Sequence, residues 1–235
     1  MTNTTTGRHI KFDCEKCFFN LFSSRFLSHD EFELIRRTSI QLSFKKGETI
    51  IKQGAKSTHL VFLHSGIVKF VYENEFGKNC ILTIISGPIL LGGANMFYGD
   101  TNFCSISSIE DCDICLIDIK ALMKTLSTNP KYSLFLFEKA AGMFRSAVHN
   151  FISMANKQVN GRVADILIYL TESVYKSKSY TLSITRKEIS EFAGCSQENV
   201  ITTLSKFHKE GVIEVDYKNI TINNFDKLVQ ISRFG

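Results

Sequence analysis

The chain of 235 residues predicts an α+β fold: an N-terminal antiparallel β jelly roll, a long dimerisation helix and a C-terminal winged helix-turn-helix. Three observations carry this prediction. Between Ile40 and Ile119, short β-branched and aromatic runs alternate with glycine turns. From Leu134 to Ala155, apolar residues recur at steps of three and four. From Thr185 to Ile222, two short capped helical segments joined by a glycine precede two alternating runs.

The chain opens with a polar, Thr-rich stretch, Met1 to Gly7, that lacks the apolar core of a signal peptide. Cys14-Glu-Lys-Cys17 follows, then a helical stretch over Phe18–Arg37, with Ser28 as a cap and Phe32 and Ile35 at helix spacing. In the roll, turns fall at Lys46-Gly47-Glu48, Gln53-Gly54, Ser65-Gly66, Phe76-Gly77-Lys78 and Ser86-Gly87-Pro88. The runs between them, such as Leu60–Leu63, Ile67–Tyr72 and Cys80–Ile85, are strand length. The longest apolar stretch, Cys80 to Phe97, is broken by Gly87-Pro88 and Gly92-Gly93, so it predicts buried strands and no membrane segment.

Asn129-Pro130 marks a helix start. Leu134, Phe137, Ala141, Phe144, Val148, Phe151 and Ala155 then form a coiled-coil seam, and Leu136, Ala140, Met143, Ala147 and Met154 form a second apolar face. One face can pack on the roll while the other meets a second copy, so a homodimer is the economical expectation; the alternative is a seam used by its own domain. Gln158–Gly161 is the expected hinge, followed by a helix from Arg162 to about Val174 and a polar loop to Tyr180. The implied division is 1–128 for the N-terminal segment and roll, 129–157 for the dimerisation helix, and 158–235 for the winged domain.

Thr185 and Glu188 form a T-x-x-E capping box, so a helix begins at Arg186 with Ile189, Phe192 and Ala193 on one face. Gly194 supplies the turn. Ser196 caps a second helix that sends Val200, Leu204 and Phe207 inward and stops at Gly211. Val212–Val215 and Ile220–Ile222 alternate around a polar turn, which predicts the wing.

Net charge is +5, but from Val159 onward 10 Lys and Arg stand against 9 Asp and Glu. Bulk charge therefore does not argue for DNA; local placement would have to. Seven scattered cysteines and no export signal fit thiols in a reducing cytoplasm. There is no nucleophile–base spacing, no Gly-rich phosphate loop and no H-E-x-x-H, so an enzyme is not expected.

Roll, long helix, hinge and winged helix, in that order, resemble the CRP/FNR family of bacterial transcription regulators. The resemblance rests on Lys46-Gly-Glu-Thr-Ile-Ile with Gly54, Ser65-Gly-Ile-Val-Lys, Gly161-Arg-Val-Ala, Thr185-Arg-Lys-Glu-Ile and Gly194-Cys-Ser-Gln-Glu-Asn-Val. It implies a cyclic-nucleotide-binding-like sensor, a palindromic double-stranded operator and RNA polymerase as a partner. It also implies that the second helix enters the major groove. Ser196, Gln197, Glu198, Asn199 and Thr202 would face bases, and Thr185, Arg186, Lys187 and Lys206 would contact phosphates. The family's guanine-reading Arg positions are Gln197 and Thr202 here, which implies a changed half-site.

Cyclic-AMP binders of this family carry Gly-Glu-Leu and Arg-Ser-Ala in the roll. Here these read Gly92-Gly93-Ala94 and Phe103-Cys104-Ser105, and the purine-facing positions are Ala147 and Val148. A phosphate buried without a cation is costly, so cyclic AMP is not expected. The pocket of Gly92, Gly93, Phe103, Cys104, Ala147 and Val148 would take an apolar effector or be filled by Phe103. The oxygen-sensing branch holds an iron–sulfur cluster on four cysteines. Cys14 and Cys17 match its N-terminal pair and Cys115 its roll position, with Cys112 nearby; the third N-terminal cysteine is missing, with Ser23 near its place. Three readings follow: a DNA-binding regulator, an iron–sulfur or redox-sensing version of it, and a sensor or interaction module whose winged helix is degenerate.

Overall fold

A computed structural model describes residues 8–9, 13–14, 16–92 and 99–235. By contacts the chain divides into two units, residues 1–72 with 86–145 and residues 73–85 with 146–235. This boundary falls inside the long helix, upstream of the expected hinge.

The first unit opens with β1 (Arg8–His9), α1 (Phe18–Ser23) and α2 (His29–Thr38). The helical stretch expected over 18–37 is thus two helices. Ser28 restarts the chain: its hydroxyl accepts from the Glu31 N–H, and the Glu31 carboxylate accepts from the Ser28 N–H at 2.8 Å, a full capping box. Strands follow as β2 (Ile40–Phe44), β3 (Thr49–Ile51), β4 (His59–Ser65), β5 (Ile67–Glu73), β6 (Asn79–Ser86), β7 (Ile89–Leu91), β8 (Ser105–Ser108) and β9 (Cys112–Asp118). They form two sheets, β1-β2-β9-β4-β7 and β3-β8-β5-β6, and the pairings around β4 and β9 are antiparallel. Two antiparallel sheets are what the evenly spaced turns predict.

Strand β4 is buried on both faces from Leu60 to Leu63, because it lies between layers. Leu60 and Phe62 join Phe19, Leu27, Phe32, Ile35 and Tyr132 in one core, with Phe19 edge-on to Phe62 at 5.2 Å. Val61 and Leu63 point the other way, as strand alternation requires. Gly66 turns the chain between β4 and β5 at φ +92°; a Cβ there would lie 2.5 Å from the Asp111 carbonyl oxygen and 2.6 Å from Cys112 Sγ. Only glycine fits. After β9 come α3 (Ile119–Thr128), capped by Asp118, and α4 (Pro130–Asn156) of 27 residues.

The second unit takes in β6 up to Ile85 and the end of α4 from Ser146, and holds α5 (Val159–Tyr169), a π-type turn over Leu170–Val174, β10 (Ser179–Thr181), α6 (Arg186–Ala193), α7 (Gln197–Lys209), β11 (Ile213–Asp216), β12 (Asn219–Ile222) and α8 (Phe225–Phe234). Its core is Val163, Leu167, Ile189, Phe192, Val200, Leu204, Phe207, Val212, Ile220 and Leu228, all buried. Two elements were not expected. β10 pairs with β12, so the wing is a three-stranded sheet in which Tyr180, buried beside Ile220, anchors a stretch expected to be loop. α8, capped by Asn224 and with Leu228 buried, closes the core.

Candidate DNA-binding surface

Both helix starts form as the residues predict. Thr185 Oγ1 accepts from the Glu188 N–H at 3.1 Å, and the Glu188 carboxylate accepts from the Thr185 N–H at 2.7 Å. Gly194 ends α6 at φ +59°, the left-handed conformation that lets the chain turn within two residues. Ser196 Oγ then accepts from the Asn199 N–H at 3.2 Å and starts α7. Ser190 is buried at the crossing, as a close helix pair requires.

Ser196, Gln197, Glu198, Asn199, Thr202 and Lys206 are all exposed, while Val200, Thr203, Leu204 and Phe207 are buried. The expected reading face is therefore presented intact. It also includes Ser205 and Lys209, exposed one and two turns beyond Ile201 and Thr202, which the sequence reading did not name. Helical spacing from Glu198 would have found them. The Glu198 N–H and the Ser196 hydroxyl hold the Glu198 carboxyl below the usual carboxylate range, so it stays an acceptor. An ionised carboxylate can accept from cytosine N4.

The expected phosphate contacts divide. Thr185, Lys187 and Lys206 are exposed. Arg186 is half-buried, and its Nη2 donates to the Tyr217 carbonyl at 2.9 Å. Burial lowers the Arg186 guanidinium from its ordinary value, and its bond to Tyr217 links α6 to the wing. Beside it, Tyr217 and Lys218 form the wing tip, Tyr217 at φ +53° and largely exposed, with Lys218 Nζ 5.7 Å from its ring.

The seam of α4 faces solvent. Phe137, Phe144 and Phe151 are 70%, 72% and 71% exposed, and Leu134, Ala141 and Val148 are exposed with them. The residues that face the helix's own domain are Tyr132, Phe135 and Leu136. The chain's own core therefore does not use the seam.

In the expected effector pocket, Gly93 lies outside the described residues. Phe103 is 64% exposed and packs on Tyr72 with ring centroids 5.3 Å apart, so it does not fill the roll. Burial pushes the neighbouring Cys104 thiol up to about 11. Gly92, Phe103 and Cys104 belong to the first unit; Ala147 and Val148, both exposed on α4, belong to the second.

The four candidate cysteines separate. Cys14, Cys17 and Cys115 line one cavity of about 510 Å³ together with His9, Gln41 and His64. Gln41 Nε2 donates to Cys14 Sγ at 3.0 Å, and Cys17 Sγ accepts from the Asn20 N–H at 3.3 Å, capping α1. Cys112 does not join them. It is three residues from Cys115 on β9, so it faces the opposite side of the sheet, where its Sγ donates to the Glu110 and Ile67 carbonyls. Ser23, in place of the missing cysteine, is buried 3.4 Å from the Tyr132 hydroxyl. Among the described residues no three His, Cys, Asp or Glu stand together as a metal-holding set. The residues present do not fit a four-thiolate cluster, and no step is assigned to one.

A β-roll followed by a winged helix with an exposed recognition helix defines a DNA-binding regulator. A family model described as a cyclic nucleotide-binding domain matches residues 41–129, and one described as a Crp-like helix-turn-helix domain matches residues 161–231. The cAMP-activated global transcriptional regulator CRP of Pasteurella multocida is 28% identical over 178 residues, covering 74% of this chain and 85% of that protein. The CRP-like cAMP-activated global transcriptional regulator of Mycobacterium tuberculosis is 25% identical over 196 residues, covering 82% and 88%. Among solved structures, FixK2 from Bradyrhizobium japonicum superposes with a TM-score of 0.75 at 20% identity, covering 82% of this chain and 96% of that one. A putative regulator of the crp/fnr family from Eubacterium rectale gives 0.73 at 20% identity, covering 91% and 97%. The chain belongs to the CRP/FNR family and is a DNA-binding transcription regulator. Among the described residues no helix is long and apolar enough to cross a membrane.

Proposed function

We propose that this protein is a cytoplasmic homodimer that reads a palindromic operator, engages RNA polymerase and answers an effector other than cyclic AMP. The observation that carries the reading is the pairing of two exposed surfaces: the polar face of α7 and the aromatic seam of α4. A twofold pair of reading heads demands a palindrome with half-sites about one helical turn apart. Polymerase contact rests on family membership. The cytoplasm fits a DNA ligand and seven free cysteines.

The relatives above are named for activation by cAMP. This chain offers Phe103 where the family's cyclic-AMP binders use an Arg and Cys104 where they use a Ser, and neither can balance a phosphate. Titration calorimetry with cyclic AMP is expected to give no binding heat; a micromolar affinity would sink this part of the reading.

Glu198 is proposed to set one base of the half-site. Glu198→Ala should relax preference at that position by about 1–3 kcal/mol and leave the other positions unchanged. Weakening by the same factor on every sequence, measured by anisotropy on a panel of single-base variants, would remove the assignment.

The test of the whole reading is selection of bound duplexes from a random pool, in air and without oxygen. A palindrome in both supports the regulator. A second reading, a redox-responsive regulator, is favoured by one observation, the convergence of Cys14, Cys17 and Cys115 on one cavity. It expects a palindrome under only one of the two conditions. No enrichment under either would favour a sensor module with a degenerate winged helix.

A further inference from the structure

We propose that Asp165 is a positioning residue that fixes the separation of the two half-sites the dimer accepts. The inference rests on the dimeric reading above. All the residues it uses lie in the second unit.

The Asp165 carboxylate gathers donors from three elements. Lys157, just past the end of α4, donates from Nζ to both carboxylate oxygens at 2.8 and 2.7 Å. Ser153 in the last turns of α4 donates its hydroxyl to one oxygen, and Ser232 of α8 donates to the other. Lys157 Nζ also reaches Ser232 Oγ at 3.2 Å, which closes the network. The side chains of Lys157 and Asp165 are only 22% and 19% exposed. Salt therefore screens this pair less than it would a surface pair. A carboxylate that accepts from an ammonium and two hydroxyls has fixed geometry, because moving any element leaves a half-buried charge short of partners.

The clamp spans the segment expected to bend, Gln158–Gly161. Most of that segment is the first turn of α5, and the start of α5 holds the reading head. Asn160 Oδ1 accepts from the buried Thr203 hydroxyl of α7 at 3.0 Å. Arg162 Nη1 donates to the carbonyl of Gly194, the turn between α6 and α7, at 3.1 Å. Met154 of α4 lies against the same turn: a Cβ on Gly194 would be 3.0 Å from its Cε. A continuous line of polar and packing contacts thus runs from the end of α4 through α5 to the recognition helix. If a dimer seam fixes the two α4 helices against each other, this line sets where each α7 stands. Half-site separation is then a property of the clamp, and base choice a property of α7.

The test uses the full chain and duplexes carrying the two selected half-sites with the spacer lengthened or shortened one base pair at a time. Wild type is expected to prefer one spacing by at least about tenfold, the penalty of roughly one misread base pair. Asp165→Ala should flatten that profile while its affinity for a single half-site stays within about twofold, as expected for residues with no shared base contact. Ser232→Ala removes one donor and leaves the ion pair, so it folds if Asp165→Ala does not, and it should flatten the profile partially. A wild-type preference that persists unchanged in both variants overturns the inference and leaves the dimeric reading standing. A wild type that binds single half-sites with no gain from a second overturns the dimeric reading and the inference with it.

Discussion

Phe144→Glu should convert the proposed dimer to a monomer in sedimentation and lower its affinity for a palindromic duplex by about 100-fold or more, the loss of linked binding. Phe144 is 72% exposed in the single chain, midway along the stripe from Leu134 to Phe151. In a twofold seam each residue faces its own symmetry mate or that residue's neighbours, so one substitution puts two carboxylates into one apolar interface. Neither has a cation within the seam, whose other members are Leu134, Phe137, Ala141, Val148 and Phe151. Burying unpaired like charges costs more than the seam can return. The folded chain itself gives up nothing, since no core contact depends on an exposed ring. The melting temperature of the monomer should therefore stay close to that expected for an undimerised wild type. A variant that still sediments as a dimer would place the interface elsewhere, and the apolar stripe of α4 would need another partner.

The residues that made the winged helix legible in the sequence are those whose partners are three or four positions away. Thr185 with Glu188, and Ser196 with the Asn199 N–H, are local pairs, and both form as the spacing predicts. Gly194 was legible for the same reason: a left-handed residue between two capped helices has one use. What escaped was set by distant partners. Ser179–Thr181 is too short and polar to announce a strand; it is one because Ile220 and Thr221 pair with it across some forty positions. The bond from Arg186, an expected phosphate contact, to the wing carbonyl of Tyr217 is likewise made with a residue distant in the chain. The cysteines show both sides. The opposite orientation of Cys112 and Cys115 follows from strand alternation alone, whereas the convergence of Cys14, Cys17 and Cys115 depends on how the N-terminal segment packs on β2 and β9. Of the two expectations for the roll pocket, filling by Phe103 is not seen, because its ring pairs with Tyr72 at the surface, a partner some thirty positions away.

Phe207→Ala should cost about 3–5 kcal/mol of stability in the winged domain, the range for deleting a buried phenyl ring. Phe207 is 1% exposed and stands on the buried face of α7 with Val200 and Leu204. Its carbonyl accepts from the Val212 N–H at 2.9 Å, the bond that turns the chain from α7 into the wing. Phe207 also lines one cavity with Ile231 and Phe234 of the C-terminal helix. Alanine leaves a void there that three separate elements would have to move to close, and each is held by its own caps and strand pairs. For a domain of this size such a loss lowers the melting temperature by more than about 10 °C. The dimer seam lies on another helix and loses no contact, so calorimetry should show one transition falling while the variant still sediments as a dimer. DNA affinity at a temperature between the two melting points should vanish, and it should return on cooling, because Gln197, Glu198, Asn199 and Thr202, the residues proposed to read the bases, have not changed. A shift below about 3 °C would mean that the site collapses around the missing ring, and that the α7–wing junction is softer than a close-packed core of buried side chains implies.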